Sequence, residues 1–186
     1  MVNKVSSMKK YMIYGTIAIN LLATLNHFLY ELSGDNTIVG IFMPINESVW
    51  EHLKLAFYPT LVWWVLGYFL YRNKLNIHKG KYISAMIISL MISPVIVVNF
   101  YYTYTGALGI QSMILDIFSL LLGVFVAQSV AVNYYEKCEY STIVFLVLVI
   151  IGVMYAALLT YVTFYPPNLP IFIDSTNGLR GIYKIK

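Results

Sequence analysis

Ionisable side chains are concentrated at residues 46–54, which read NESVWEHLK and lead directly into a long apolar run. The stretch holds two carboxylates, a histidine and a lysine: Glu47, Glu51, His52 and Lys54. Carboxylates and imidazoles act as general acids and bases, and they are also ligands of divalent metal ions. Because ionisable groups at the mouth of a membrane segment are costly unless they are paired or used, we predict a buried polar site here.

Two further apolar segments carry ionisable groups that we assign to the same site. In the first segment, Asn20, Thr24, His27 and Glu31 recur at i, i+4, i+7 and i+11, a spacing that forms one stripe of a helix. In the fourth segment, Asp116 lies at a depth where an aspartate is costly unless it is paired or faces water. Each of these groups also has a structural interpretation. His27 could hydrogen-bond a neighbouring helix, and Glu31 could be exposed to water. Asp116 could hydrogen-bond a Tyr or Asn on a neighbouring helix.

The start of the second apolar segment offers a helix face with four polar groups. These groups lie at i, i+4, i+7 and i+11: Glu47, Glu51, Lys54 and Tyr58. Asn46 is a favourable N-cap, and carboxylates in a first turn interact well with the helix dipole, which explains part of the pattern. His52 lies about a quarter turn or more away from this face. We therefore expect this face to meet the His27 stripe or Asp116, and His52 to belong to a different contact unless the helix start is distorted at residues 44–46. On this basis Glu51 is a better site candidate than His52.

The composition indicates what kind of protein holds these ionisable side chains. Of the 186 residues, 60% are hydrophobic and 11% are charged, against about 25% charged in an ordinary soluble domain. An aromatic content of 16% suits belts at the two lipid–water interfaces. A single cysteine excludes an intrachain disulfide and a multi-thiolate metal site. The net charge of +4 is spread between apolar segments, so nucleic-acid binding has no physical basis.

Five segments have the length and apolar character of membrane helices, which need about 20 residues each. They are predicted at about 11–32, 47–71, 82–104, 108–134 and 141–164. No long linker separates them, so residues 1–186 form a single all-α integral-membrane domain. The predicted fold is a polytopic helix bundle in the cell membrane, with membrane lipids as its first partners.

Basic residues between the segments predict the orientation. Eight Lys and Arg residues fall on the side of the N-terminus and four on the opposite side, which places the N-terminus in the cytoplasm and the C-terminus outside. Pro166 and Pro167 must end the fifth helix. The following tail is too apolar for a free terminus, and we expect it to fold back across the outer mouth and bring Asp174 over the site. The alternative for Asp174 is a turn formed with Asn177 and Gly178.

Four strings of residues together resemble a known family. They are residues 27–34 (HFxYELSG), 46–54 (NESVWEHLK), 102–106 (YTYTG) and 163–167 (TFYPP). They are similar to an uncharacterised family of small multi-pass membrane proteins from clostridia and related Firmicutes, and the resemblance spans nearly the whole chain. It implies a bacterial multi-pass membrane protein of unknown function, and it implies no activity.

Two functional interpretations and one structural interpretation follow from the residues. In the first, one divalent metal ion (Zn, Mn or Fe) is bound by ligands drawn from five candidates: His27, Glu31, Glu51, His52 and Asp116. A metal-bound water would hydrolyse an ester or amide of a lipid, with three carboxylates as catalytic groups: Glu47, Glu51 and Asp116. In the second, these groups bind a small polar solute or relay protons without a metal. In the third, the polar stripes only hold helices together.

The alkaline ceramidases are membrane hydrolases that invite comparison with the first interpretation. They use a Ser, an Asp and three His, whereas this chain has three His in all. His78 lies in a loop predicted to be cytoplasmic, on the other side of the membrane from His27 and His52. A site with three histidine ligands is therefore excluded.

Overall fold

The computed structural model describes residues 2–75 and 77–182, and over these ranges all regular secondary structure is helical, as predicted. Two of the four basic residues assigned to the outer side, Lys184 and Lys186, lie outside the described residues. Six α-helices and one short 3-10 helix (η1) follow in order: α1 Val2–Leu32, α2 Thr37–Phe42, α3 Val49–Leu75, α4 Lys79–Leu108, α5 Met113–Lys137, α6 Thr142–Phe164 and η1 Pro170–Phe172. Within the described ranges, every α-helix except α2 is long and apolar enough to cross a membrane, which gives five candidate spans.

Four of the long helices form a closed ring. Helix α1 packs against α3 and α5, and α4 packs against the same two helices from the other side. Contact between α4 and α5 is very close at Gly123, where an added Cβ atom would lie 2.9 Å from the backbone oxygen of Ser93. Helix α6 lies outside the ring against α4, and only 6% of its apolar span is buried. Helix α6 therefore leaves most of its surface uncovered by the rest of the described chain.

Both ends of the ring are fixed by polar and aromatic contacts. At one end, the hydroxyl of Tyr82 donates to the backbone oxygen of Trp64 at 2.8 Å. The ring of Tyr11 packs edge-on against the ring of Trp64 and lies over Gly67. At the other end, α1, α4 and α6 finish while α3 and α5 begin. We call this the tail end, because it carries the loop 33–48 and the C-terminal segment 165–182.

Helix α3 begins later than its sequence predicts, and this changes the geometry of the site. The hydroxyl of Ser48 accepts the Glu51 N–H at 3.3 Å, so Ser48 caps the helix. Asn46 instead accepts the Ser48 N–H at 3.0 Å in a turn before the helix, and the prediction that Asn46 is the cap is wrong. Glu47 therefore lies in the loop, where helical spacing does not govern its direction.

The C-terminal segment folds back over the tail end. After α6 ends at Phe164, η1 places the ring of Phe172 against the ring of Trp50, with 5.1 Å between the ring centroids. The side-chain amide of Asn46 donates to the backbone oxygen of Gly181 at 3.1 Å. These contacts bring the segment directly over the first turn of α3.

Candidate metal centre

Three side chains from three parts of the chain converge at the tail end. His27 comes from α1, Glu47 from the loop before α3, and His52 from the first turn of α3. Nε2 of His52 lies 3.2 Å from Nε2 of His27 and 3.3 Å from Oε2 of Glu47. Nε2 of His27 lies 3.7 Å from the same Glu47 oxygen. Two imidazoles and one carboxylate therefore bring one ligand atom each within 3.7 Å of the other two.

The spacing of these three atoms matches the coordination sphere of a small divalent ion. A circle through points separated by 3.2, 3.3 and 3.7 Å has a radius of about 2.0 Å. Zn–N bonds are about 2.0–2.1 Å long and Zn–O bonds are about 2.0–2.2 Å. By distance, an ion at or slightly above the plane of the three atoms could contact all of them.

The other nitrogen of His52 determines which atom is free to bind. Nδ1 lies 2.8 Å from the backbone oxygen of Ser48, one turn back along the chain. A carbonyl oxygen only accepts hydrogen bonds, so Nδ1 carries the hydrogen and Nε2 is left for the centre. A histidine ligand that donates its second N–H to a carbonyl is the usual arrangement at metal sites, because the hydrogen bond fixes the ring orientation.

The electrostatics of the cluster favour a cation at its centre. Without a metal ion, a His52 ring protonated on both nitrogens donates from Nε2 to Glu47, and this hydrogen bond lowers the pKa of the Glu47 carboxyl. A metal ion that binds Nε2 would displace that proton. A proton shared among His27, Glu47 and His52 can satisfy only some of the facing lone pairs at one time. A divalent ion attracts all three, and it neutralises the carboxylate as well.

The cluster is open to its surroundings on one side. The side chains of His27, Glu47 and His52 are 33%, 43% and 30% exposed, respectively. Three protein ligands with accessible space beside them leave a coordination position for a water molecule or a substrate. Catalytic zinc sites have this composition, whereas structural sites have four protein ligands.

Asp116 lies near this cluster but outside it. It stands in the first turn of α5, close enough to His52 to interact with it electrostatically, and it is not among the ligand atoms within 4.8 Å of one another. The hydroxyl of Tyr104 on α4 donates to Oδ1 of Asp116 at 2.6 Å. The structural interpretation of Asp116 expected a hydrogen bond to a Tyr or Asn of a neighbouring helix, and Tyr104 provides it. The second oxygen of Asp116 remains available for other contacts.

Glu51 and Lys54 form a separate network on another face of α3. Nζ of Lys54 lies 2.6 Å from Oε2 of Glu51, and both side chains are almost completely buried. Lys54 also donates to the backbone oxygens of Gly40 and Met43, at 2.7 and 3.3 Å. The second oxygen of Glu51 accepts from the hydroxyl of Thr163 on α6 at 3.2 Å. This network ties α2 and the loop to α3 and α6, and it does not reach His27.

The remaining candidates are dispersed. Glu31 is exposed at the end of α1 and is not part of the ligand cluster. Tyr58 packs edge-on against Phe42 of α2, with 5.3 Å between the ring centroids. Asp174 is buried under the tail and accepts the backbone N–H of Glu47 at 3.0 Å. It also begins the turn that ends at Gly178, so it has both of the roles considered for it.

Glu47 lies 3.7 Å from His27, as expected for the face it was predicted to share. His52 joins them because the helix start differs, which is the exception allowed above. The expectation that Glu51 faces the His27 stripe is wrong. It assumed that Glu47 and Glu51 share a helix face, and the helix starts only at Val49. The signal that could have revealed this is Ser48, which stands three residues before Glu51 in the pattern of a capping box. A start at Ser48 leaves Glu47 in the loop, free to join His52 at the mouth.

A ring of apolar helices with a polar cluster at one end defines the chain as a multi-pass membrane helix bundle. A family model matches residues 1–182, and the chain belongs to that family, DUF6512, which is described as a family of unknown function. Neither the search of curated proteins nor the search of solved structures returned a match.

Proposed function

We propose that the protein binds one divalent metal ion, zinc in the first instance, and uses it to hydrolyse an ester or amide bond of a lipid. The observation that carries the proposal is the three-atom cluster, whose radius of about 2.0 Å equals a zinc–ligand bond length. Two histidines and one glutamate are also the ligand set of known zinc peptidases. The open side of the cluster supplies the position at which a bound water becomes acidic enough to react near neutral pH.

The residues around the cluster account for the rest of such a reaction. A metal ion held by His27, Glu47 and His52 would supply an activated water. Asp116 would take a proton from this water as it attacks the carbonyl carbon of the substrate, and would return the proton to the leaving oxygen or nitrogen as the C–O or C–N bond breaks. Tyr104 holds Asp116 in place through its hydroxyl. In this assignment Asp116 is both the general base and the general acid.

The location of the cluster favours a lipid substrate. His27 stands about one turn before the end of the apolar span Lys10–Leu32, and His52 lies in the first turn of the span Val49–Arg72. The ester and amide groups of lipids lie at the corresponding depth, between the acyl chains and the head groups. With the N-terminus in the cytoplasm, as the distribution of Lys and Arg predicts, this depth belongs to the outer leaflet.

Metal analysis and a lipid panel test the proposal. The detergent-solubilised protein is loaded with zinc and incubated with fluorescent phosphatidylcholine, phosphatidylglycerol and ceramide. We expect bound zinc and cleavage of at least one probe, both lost in Glu47→Gln and with a chelator. Glu139→Gln, which removes an exposed carboxylate elsewhere, should change neither. Absence of zinc binding would refute the metal site, and zinc binding without cleavage of any probe would refute the hydrolase assignment.

A second candidate function is proton or solute transport, and one observation favours it. On the ring helices, five hydroxyl or amide side chains are fully buried and make no hydrogen bond within the described chain: Thr60, Ser84, Ser89, Ser93 and Gln128. Such groups are costly in an apolar interior unless water or a solute bonds to them. Transport predicts uptake in proteoliposomes that is lost in Gln128→Leu and in Asp116→Asn, and that survives Glu47→Gln.

A further inference from the structure

The backbone of Glu47 is held by a part of the chain that lies far away in sequence. Its N–H donates to Oδ2 of Asp174 at 3.0 Å, across a separation of 127 residues. Its carbonyl oxygen accepts from the hydroxyl of Ser175 at 3.3 Å and from the Ser175 N–H at 3.5 Å. Both backbone groups of this candidate ligand are therefore bonded to the tail, and neither is bonded within a helix.

Asp174 is itself fixed in position. Its side chain is buried, and its other oxygen accepts the N–H of Thr176 at 2.7 Å as well as the Thr176 hydroxyl. Its own N–H donates to the backbone oxygen of Leu179 at 2.8 Å, which closes a tight turn. A carboxylate that is buried and hydrogen-bonded on both oxygens has little rotational freedom. The position of the Glu47 backbone therefore depends on the position of the tail.

The loop is anchored from the opposite side by α3. Oε2 of Glu51 accepts the N–H of Ile45 at 3.1 Å, two residues before Glu47. Glu47 therefore stands between an anchor in the membrane helix and an anchor in the tail. Its side chain is 43% exposed, so packing alone does not determine its direction.

We propose that the C-terminal tail is a positioning element for the metal ligand Glu47, and that tail docking and metal binding stabilise each other. The proposal rests on the proposed metal site. Asp174 and Ser175 are positioning residues, because they act on the ion only through Glu47. Coupling between two binding events is reciprocal, so a tail that increases metal affinity must in turn be held more firmly by the metal.

Asp174→Asn is the sharpest test because it keeps size and shape. In the wild type, one oxygen of Asp174 faces Thr176 and the other faces the Glu47 N–H. In the variant, the amide oxygen can still accept from Thr176, and the NH₂ group then faces the Glu47 N–H as a second donor. The opposite orientation moves the same conflict to Thr176. Asp35→Asn, at an exposed loop position, is the control for the lost charge.

Two readouts are taken on the full-length, detergent-solubilised protein with zinc as the probe. Zinc affinity is measured by competition with a chromophoric chelator, and tail docking by the rate of tryptic cleavage after the exposed Arg180. We expect Asp174→Asn to weaken zinc binding about 10- to 100-fold, the usual effect of removing a partner that orients a ligand. We expect zinc to slow cleavage in the wild type and in Asp35→Asn, but not in Asp174→Asn.

A second pair of variants covers the case in which Asp174→Asn fails to fold. Ser175→Ala removes one neutral hydrogen bond to Glu47 and should weaken zinc binding about fivefold, whereas Ser175→Thr keeps the hydroxyl and should bind like the wild type. Unchanged zinc affinity in Asp174→Asn and Ser175→Ala, with zinc bound by the wild type, would overturn the positioning role alone. No zinc binding by the wild type would overturn the metal site and the positioning role together.

Discussion

The thermal stability of the protein should depend on zinc, and this dependence should require both clustered histidines. The perturbation is a single exchange of His27 or His52 for glutamine, which preserves a polar side chain and removes the imidazole nitrogen. The third histidine is a matched control. Nδ1 of His78 accepts the N–H of Lys81 at the start of α4, at the opposite end of the bundle. His78→Asn keeps that cap, because asparagine is among the best N-cap residues.

The expected magnitude follows from linkage. Free zinc at 100 times its dissociation constant stabilises the folded state by about 2.7 kcal/mol. For a chain of 186 residues this corresponds to a rise in Tm of about 5–10 °C. Loss of one of three ligands, taken to weaken binding about 100-fold, leaves about 0.4 kcal/mol at the same zinc concentration. The rise in Tm then shrinks to about 1 °C, which is easily distinguished from the wild type.

The assay is thermal unfolding in detergent micelles, first with EDTA and then with increasing free zinc. The wild type and His78→Asn should show the full rise, and His27→Gln and His52→Gln should show almost none. If the histidines served only to join α1 to α3, the variants would lose about 0.5–1.5 kcal/mol in EDTA, and zinc would affect no protein. An equal rise in all four proteins would show that zinc binds elsewhere, and the assignment of the cluster would be refuted.

Three further predictions follow from other contacts. Lys54→Met leaves Glu51 buried without its partner and should cost about 3–5 kcal/mol, measured by denaturant unfolding, while the rise in Tm with zinc remains. Asp116→Asn should keep zinc affinity and lower the hydrolysis of a lipid probe about 100-fold or more, measured with saturating zinc. Gly123→Ala places a Cβ atom 2.9 Å from the backbone of Ser93 and should cost about 1–3 kcal/mol, measured by thermal unfolding.

Each of these predictions has a control and a contradicting result. Replacing Glu51 together with Lys54 by methionine should recover part of the lost stability, and no recovery would contradict the assignment of a buried ion pair. Full activity in Asp116→Asn would exclude Asp116 as the general base. Gly106→Ala, where an added Cβ atom has nothing within 4 Å, should cost nothing, and equal losses at Gly106 and Gly123 would exclude the close helix contact as the cause.

The helical architecture could be predicted from the sequence because it depends on local and compositional properties. A charged fraction of 11% and five apolar segments leave helices as the simplest way to satisfy the backbone in a membrane. The all-α fold and the five membrane-length helices were predicted on this basis and are confirmed. The short helix α2 was missed, because six residues capped by Asn36 produce no periodic signal.

The arrangement of the candidate site was harder to predict because it depends on where one helix begins. Moving the start of α3 from Glu47 to Val49 takes one carboxylate off the helix and frees its direction. The contact between His27 and His52 then depends on how α1 is rotated about its axis relative to α3. The spacing of residues along one helix does not give this rotation. Spacing could show that ionisable groups lie at one end, but it could not show which of them meet.

The choice of Glu47 over Glu51 as the candidate ligand has an energetic reason. Glu51 is bonded through both oxygens, to Lys54 and the Ile45 N–H on one side and to Thr163 on the other. If Glu51 turned to a metal ion, the fully buried ammonium of Lys54 would lose its only acidic partner in the described chain, at a cost of about 3–5 kcal/mol. The Glu47 carboxylate is not paired with a buried lysine, and its side chain is 43% exposed. The buried pair therefore leaves Glu47, rather than Glu51, as the carboxylate available to the proposed metal ion.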